Sequence, residues 1–289
     1  MTEGILAALD HIKTATGEPA VNAIGYCLGG TLLATTLSYL HTEKLSHSIA
    51  SATFLTTLLD FEHAGDLKLF MDDDQLKLMD RAMAESGLFK SRELQKTFSL
   101  LRANDLIWSF VVNNYLMGKE PFPFDLLYWN DDSTNMPAAM HSFYLRKMYR
   151  DNELTNPGGI TMNGHPVDLS KVKTPAYFLS TREDHIAPWQ ATYQGTQMLG
   201  GDTTFTLAAS GHIAGVINPP AKNKYTYWTN PKTPKAPDTW QKSTTKHPGS
   251  WWPNWQKWIK QHTNGQTTPP RIKSPIEPAP GSYVLVQGD

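Results

Sequence analysis

The 289-residue sequence predicts an α/β protein with a mostly parallel sheet and a helical insertion. Three observations predict this class. An apolar run turns directly into a helical pattern and is followed by a second apolar run, which is the order of a parallel strand-helix-strand crossover. From residue 61 to about residue 150, helical spacings dominate. Strand and helix signals then alternate again from residue 174 to residue 208.

The first elements follow from hydrophobic periodicity. Apolar residues at helical spacing predict a helix over 5–15, which ends at Gly17–Pro19. The short apolar run Val21–Ile24 predicts a buried strand, and the helical pattern after it continues through Leu40. A segment rich in threonine, leucine and phenylalanine predicts a second strand over 50–59.

The rest of the chain divides into an insertion and a return to the sheet. We therefore assign residues 1–60 and 161–289 to the α/β core and residues 61–160 to a helical cap insertion. Beyond Asn218 the sequence is rich in proline and lysine, and a tryptophan-dense helix interrupts it. The predicted elements here are strands over 174–180 and 203–208, helices over 189–199 and 251–259, a surface linker over 263–281, and a segment over 283–286 that forms an edge strand or lies along the surface.

Composition excludes several functional classes. Lys and Arg number 26 against 27 Asp and Glu, a net charge of −1, which argues against nucleic-acid binding. No apolar run approaches the ~20 residues that a membrane span needs. Cys27 is the single cysteine, so an internal disulfide is excluded. We expect no metal site, because the acidic run Asp72–Asp74 is typical of a solvated turn.

The segment from Gly25 to Gly29 has the G-x-nucleophile-x-G pattern of a nucleophile elbow, with Cys27 in the place of the nucleophile. Such a turn is tight, so we expect that side chains at Gly25 and Gly29 would collide with neighbouring elements. The turn places the thiol at a helix N-terminus, where the backbone N–H of Leu28 faces a developing oxyanion. The alternative is a glycine turn around a buried cysteine.

Two further residues follow Cys27 in the order that α/β-hydrolases use, with the acid before the histidine. Asp184 comes just after the third predicted strand, and His212 comes just after the fourth in a glycine-flanked loop. The sequence therefore predicts a triad of Cys27, Asp184 and His212. Asp60 also follows a strand and stays an alternative acid for a sheet with different connections.

Six segments carry a resemblance to a known family. They are Gly25–Thr31, Thr56–Phe61, Phe124–Asn130, Arg182–Ile186, Ser210–Pro220 and Gly249–Pro253. Together they resemble polyhydroxyalkanoate synthases, and most closely the class I enzymes that polymerise short-chain 3-hydroxyacyl-CoA such as 3-hydroxybutyryl-CoA. The resemblance extends from about residue 4 to residue 286.

The resemblance implies an α/β-hydrolase fold with a helical cap and a role for each site residue. It implies that Cys27 is the acylated nucleophile, that His212 is the general base, and that Asp184 acts in chain elongation either directly or through His212. Leu28 would supply an oxyanion N–H, and Trp129 is either a wall of the acyl site or a plain core tryptophan. No cofactor is implied, because the substrate itself carries coenzyme A.

The resemblance also implies partners and a location. The substrates would be 3-hydroxyacyl-CoA and the growing polyester, and the protein would be a homodimer at the surface of polymer granules in the cytoplasm. Two other functions stay open. One is a cysteine-dependent hydrolase or thioesterase of the same fold, and the other is a non-catalytic fragment that binds a synthase or a granule.

Only 26 residues precede Cys27, which is room for one helix and one strand. In an α/β-hydrolase the nucleophile strand is an interior strand, and at ~30 residues for each strand-helix-strand unit the preceding strands need on the order of 90 residues. We therefore expect a carboxy-terminal portion of a synthase that lacks the first strands and the second oxyanion N–H. Such a sheet would have an unpaired apolar edge, and its activity alone is left open.

Overall fold

The structure is a computed structural model that describes residues 1–101, 103–121, 132, 134–263, 265–266, 268 and 276–286. It divides into two compact units. The larger unit is Met1–Leu69 with Lys147–Ile272, and the smaller is Phe70–Arg146 with Lys273–Asp289. The ranges 1–60, 61–160 and 161–289 assigned from the sequence differ from these bounds and stay a prediction.

The elements of the described residues are numbered along the chain. The strands are β1 Val21–Tyr26, β2 Ile49–Leu55, β3 Leu88–Phe89, β4 Met136–Pro137, β5 Thr161–Met162, β6 His165–Pro166, β7 Ala176–Thr181, β8 Thr203–Ala208, β9 Thr226–Thr229 and β10 Thr245–Pro248. The α-helices are α1 Ala7–Thr16, α2 Leu28–Thr42, α3 Asp73–Ala84, α4 Ser91–Leu101, α5 Ala138–Tyr144, α6 Trp189–Met198, α7 Pro237–Lys242 and α8 Trp252–Ile259. Within this part of the chain, no helix combines the length and the apolar character that a bilayer crossing requires.

The larger unit is built on a six-stranded sheet in the order β1-β2-β7-β8-β9-β10. The pairs β1/β2, β2/β7 and β7/β8 are parallel, and β9 and β10 are added antiparallel. Every residue of β7 is buried, as expected for a strand covered on both faces. The observed architecture confirms the predicted α/β class with a mostly parallel sheet.

Aromatic side chains fill the space on both sides of this sheet. On one face Phe54 stacks on Phe178 with ring centroids 4.6 Å apart, and the fully buried Trp240 meets Phe205 edge-on. On the other face the hydroxyl of Tyr177 donates to Asn254 of α8. Side chains thus cover both faces of the sheet, and the candidate catalytic residues lie in the loops that follow its strands.

Two of the predicted boundaries need correction, and the short strands β3, β4, β5, β6, β9 and β10 are absent from the prediction. The first helix begins earlier, with a π-helical turn over Thr2–Leu6. The second strand ends at Leu55, because Thr56 turns away with a φ of +45°. For the segment over 283–286, the edge-strand alternative is wrong, because Tyr283–Leu285 forms an exposed 3₁₀ turn.

The strands β9 and β10 were missing from the prediction, which treated the chain beyond Asn218 as largely irregular. Both are only four residues long, and prolines and lysines surround them. Their pairing joins residues far apart in the sequence, because Thr229 of β9 pairs with Thr206 of β8 on one side and with Thr245 of β10 on the other. The run Thr226–Thr229 has β-branched and aromatic residues, and that signal could have identified the first of them.

The strand β1 lies at one edge of the sheet, as the sequence predicts for the strand before Cys27. In the described residues its ladder partner is β2, and the opposite side of β1 has none. Ile24 on this strand is 54% exposed. A parallel strand with an exposed apolar side chain and an open edge favours association with another strand.

The smaller unit is mainly helical. Helices α3, α4 and α5 accompany a two-residue antiparallel bridge between β3 and β4. Arg146 donates to both carboxylate oxygens of Asp80 on α3, with the shorter contact at 2.6 Å. His141 of α5 is buried and stacks on Phe89, with ring centroids 4.0 Å apart.

Candidate active site

Cys27 occupies a strained turn between β1 and α2. Its φ of +51° lies in a region that residues with a side chain rarely adopt. The Cys27 N–H donates to the carbonyl of Leu55 at 2.9 Å, and its own carbonyl accepts from Gly30 N–H at 2.9 Å. Cys27 as a residue is partly exposed. Strain of this kind at a strand-to-helix turn is typical of a nucleophile elbow.

Of the two glycines at which the pattern predicts steric crowding, Gly25 and Gly29, only Gly25 is crowded. A Cβ on Gly25 would lie 2.4 Å from Gly30 Cα, so the close approach expected there is confirmed. The collision expected at Gly29 is wrong, because nothing lies within 4 Å of a Cβ there. The crowded position is Gly30, where a Cβ would lie 1.9 Å from the Oγ1 of Thr57.

This difference predicts opposite effects for two adjacent substitutions. We expect Gly30→Ala to destabilise the fold by about 1–3 kcal/mol, because the buried Thr57 cannot move without losing its bonds to the Cys27 and Leu55 carbonyls. Gly29→Ala is the matched control and should stabilise α2 by at most about 1 kcal/mol. Chemical denaturation measures both. Equal destabilisation by the two alanines would contradict this account of the turn.

Asp184 is held in a loop after β7 by hydrogen bonds to both carboxylate oxygens. Its Oδ1 accepts from the N–H groups of Ile186 and Ala187, both at 2.9 Å. Its Oδ2 lies 2.7 Å from His212 Nδ1 and also accepts from Thr181 at 3.3 Å. The Asp184 side chain is fully buried. The carboxylate therefore has one fixed orientation, directed at the imidazole.

His212 connects this carboxylate to the thiol. Because Nδ1 is engaged by Asp184, Nε2 is the ring nitrogen that can meet the Cys27 thiol. Burial lowers the pKa of His212, but hydrogen bonds to Asp184 and Cys27 and the negative charges of both raise it, and the resulting pKa is about 10. These surroundings thus favour the protonated imidazole, which is the form His212 takes when it accepts the proton of Cys27.

The other predicted site residues have different surroundings. Asp60, the alternative acid, accepts hydrogen bonds at 2.9 Å from Glu62 N–H and from the Asn152 side chain, which places it in a structural turn. Leu28 is the first residue of α2, so its N–H lacks a partner within the helix. Trp129 and the segment Phe124–Asn130 lie outside the described residues.

Sequence reasoning missed three side chains that hold the loop around His212. The hydroxyl of Tyr26 donates to the His212 carbonyl at 2.5 Å. Trp251 shares its indole N–H between the carbonyls of Gly215 and Val216, and Trp252 donates to the Val216 carbonyl at 2.9 Å. Tyr26 lies inside the elbow pattern, and that position was the available signal. The two tryptophans belong to the predicted tryptophan-dense helix over 251–259, to which the sequence analysis gave no role in the site.

Together the three side chains supply a nucleophile, a proton acceptor and a carboxylate that orients the acceptor through a 2.7 Å contact. Such an arrangement can take an acyl group from an ester or thioester through a covalent intermediate. Over the part of the chain that the structure describes, no group of three or more His, Cys, Asp or Glu side chains is placed to hold a metal ion.

Comparison with known proteins agrees with the fold and with the resemblance. Residues 2–219 match a family model described as alpha/beta hydrolase fold. The chain is 50% identical over 288 residues to the poly(3-hydroxyalkanoate) polymerase subunit PhaC of Rhizobium meliloti, covering 99% of this chain and 47% of that protein. It is 44% identical over 290 residues to the corresponding subunit of Cupriavidus necator, covering 96% of this chain and 49% of that protein.

A third relative is the poly(3-hydroxyalkanoate) polymerase of Methylorubrum extorquens. It is 49% identical over 293 residues, covering 99% of this chain and 48% of that protein. The chain therefore spans about half the length of the curated relatives it matches. Their identity over nearly all of its residues confirms the resemblance stated from the motifs. The chain belongs to the alpha/beta hydrolase fold family, and its sequence is that of a relative of the polyhydroxyalkanoate polymerases.

Proposed function

We propose that this chain carries the acyl-transfer site of a polyhydroxyalkanoate synthase, with Cys27 as the residue that bears the acyl chain. The observation that carries the proposal is the 2.7 Å contact of His212 Nδ1 with Asp184, together with the electrostatic influence of Cys27 on the same imidazole. The chain that carries this contact is 50% identical to a poly(3-hydroxyalkanoate) polymerase subunit over 99% of its own residues. The substrate class proposed is a short-chain 3-hydroxyacyl-CoA.

The first step forms a thioester on Cys27. The thiol proton passes to Nε2 of His212, and the thiolate attacks the carbonyl carbon of the CoA thioester. The N–H of Leu28 at the start of α2 donates a hydrogen bond to the carbonyl oxygen and stabilises the negative charge that develops there. The bond to the CoA sulfur then breaks, and CoA leaves with the proton held by His212.

The second step lengthens the polyester. The 3-hydroxyl of another acyl unit loses its proton to His212, and its oxygen attacks the thioester carbonyl on Cys27. An ester bond forms, and the sulfur of Cys27 leaves and takes back the proton from His212. The lengthened chain, still joined to CoA, returns to Cys27 by the first step. Both oxygens of Asp184 are already engaged, and its side chain is fully buried. We therefore propose that Asp184 acts through His212 rather than on the hydroxyl itself.

The choice of cysteine suits this chemistry. Transfer from a CoA thioester to a thiol exchanges one thioester for another, so the acyl group stays activated for the next attack. An ester on serine would lose that activation before chain growth. Cys27 as a residue is partly exposed, which is consistent with access of an acyl donor to this turn.

The proposal extends to partners on the strength of the resemblance. A homodimer at the surface of polymer granules in the cytoplasm is the proposed setting, and Trp129 is proposed as a wall of the acyl site. Size-exclusion chromatography with light scattering and co-sedimentation with purified polymer granules measure the first two. A monomer that stays in the supernatant would contradict them.

Incubation with 3-hydroxybutyryl-CoA labelled in its acyl group tests the function. We expect label on Cys27, release of one free CoA per acyl group transferred, and insoluble polymer. A hydrolase would instead convert the label to free 3-hydroxybutyrate without polymer. A binding fragment would leave the CoA thioester intact, and that result would overturn the proposal.

A further inference from the structure

The loop that carries His212 is a short helical turn between β8 and β9. Within it, Gly215 N–H donates to the Gly211 carbonyl and Ile217 N–H donates to the Ile213 carbonyl, both at 2.9 Å. A single turn has carbonyls at its end without a partner further along the helix. The position of His212 therefore depends on what binds those carbonyls from outside.

Two indole N–H groups bind the end of this turn. Trp252 donates to the Val216 carbonyl at 2.9 Å, and Trp251 donates to Gly215 and Val216 carbonyls at 3.1 Å each. Their surroundings differ. Trp251 is buried among the core residues around Tyr177, whereas Trp252 is 37% exposed. Trp252 can therefore lose its N–H with little effect on the core.

Tyr26 holds the start of the same turn. Its hydroxyl donates to the carbonyl of His212 itself, and its ring contacts the imidazole edge-on with centroids 5.5 Å apart. Burial raises the pKa of Tyr26 above its ordinary value, and the charges of Cys27 and Asp184 raise it further. The hydroxyl therefore stays protonated, and remains a donor, over the whole range in which the enzyme would work.

His212 has to meet two partners at once, with Nδ1 on Asp184 and Nε2 on Cys27. Displacement of such a group by about 1 Å can cost about 100-fold in rate. We propose that Tyr26 and Trp252 are positioning residues, which hold the His212 imidazole against the Cys27 thiol by binding main-chain carbonyls at opposite ends of the His212 turn. This inference rests on the proposed function, because it assigns the two side chains to the same site.

The test is the rate at which iodoacetamide alkylates Cys27, measured from pH 5 to pH 10 on the full chain. Cys27 is the only cysteine, so the signal is unambiguous. We expect Trp252→Phe and Tyr26→Phe each to lower the rate at pH 7 by about three- to tenfold and to move the midpoint of the pH profile towards that of His212→Gln, since one pH unit corresponds to about tenfold. Tyr26→Phe keeps its ring, and Trp252→Phe replaces a partly exposed indole with a smaller aromatic ring, so most of the packing is kept.

Trp255→Phe is the matched control. It removes an indole N–H from the same helix, but that group donates to Thr53 Oγ1 in the sheet at 3.0 Å. We expect it to lose a similar amount of stability on chemical denaturation and to keep the wild-type alkylation profile. If Trp252→Phe and Tyr26→Phe alkylate as the wild type does, while His212→Gln is slowed, the positioning inference is wrong and the proposed function stands. If His212→Gln is also unchanged, both are wrong.

Discussion

Replacing Cys27 with alanine is expected to abolish acyl transfer and polymer formation. The thiol is the only group in the triad that can form a covalent bond to the acyl carbon, so its loss leaves the carboxylate and imidazole without a nucleophile. Loss of a nucleophile in comparable triads lowers kcat by about 10⁶-fold, so polymer should fall below detection. Radiolabel bound to the protein and insoluble polymer are the two measurements.

Cys27→Ser distinguishes two requirements, a nucleophile that can be acylated and a thioester that is activated for chain growth. Serine keeps the turn and can accept an acyl group as an ester, but that ester is less activated for attack by the next 3-hydroxyl. We expect slow labelling without chain growth. Gly29→Ala is a suitable control, because a side chain there meets nothing within 4 Å. Polymer made by Cys27→Ala would show that the acyl chain is carried elsewhere.

Asp184→Asn should lower the rate of acyl transfer by about 10³- to 10⁴-fold, in line with the same change in a serine-protease triad. The amide oxygen can still accept from the N–H groups of Ile186 and Ala187. Its NH₂ group would then face His212 Nδ1 and favour the tautomer in which Nε2 carries the proton. That imidazole cannot take the proton of Cys27.

The same substitution predicts a change in pH dependence. In the wild type the pKa of His212 is about 10, so the imidazolium is present below that pH and is lost as the pH rises through it. Without the carboxylate, the hydrogen bond and the charge that raise this pKa are lost while burial still lowers it. The imidazolium is then lost at a lower pH. We therefore expect the alkaline limb of the rate profile to move to lower pH. Asp60→Asn is the control.

Asp60 lies in its own turn with Glu62 and Asn152, so the Asp60→Asn variant should keep the wild-type profile even if it costs stability. Stopped-flow measurement of CoA release across pH 6 to 10 gives both profiles. A profile for Asp184→Asn that coincides with the wild type would mean that Asp184 does not act through His212. An altered profile for Asp60→Asn would restore it as a candidate acid.

Local pattern determined much of the fold and the identity of the nucleophile. The run before Cys27, the glycines around it and the helical spacing after it lie within one short segment, so strand, turn and helix can be recognised without knowledge of distant residues. The order of Cys27, Asp184 and His212 at strand ends follows in the same way. Parallel strands place their carboxyl ends at one edge, which brings loops far apart in sequence together.

Only the tertiary structure decided which groups meet. The choice of Asp184 over Asp60 as the partner of His212, and the crowding at Gly30 rather than Gly29, depend on distances across the fold. The contact of Tyr26 with the His212 carbonyl joins residues 186 positions apart. A hydrogen bond is set by the position and direction of two groups within a few tenths of an ångström, and hydrophobic periodicity carries no information at that scale.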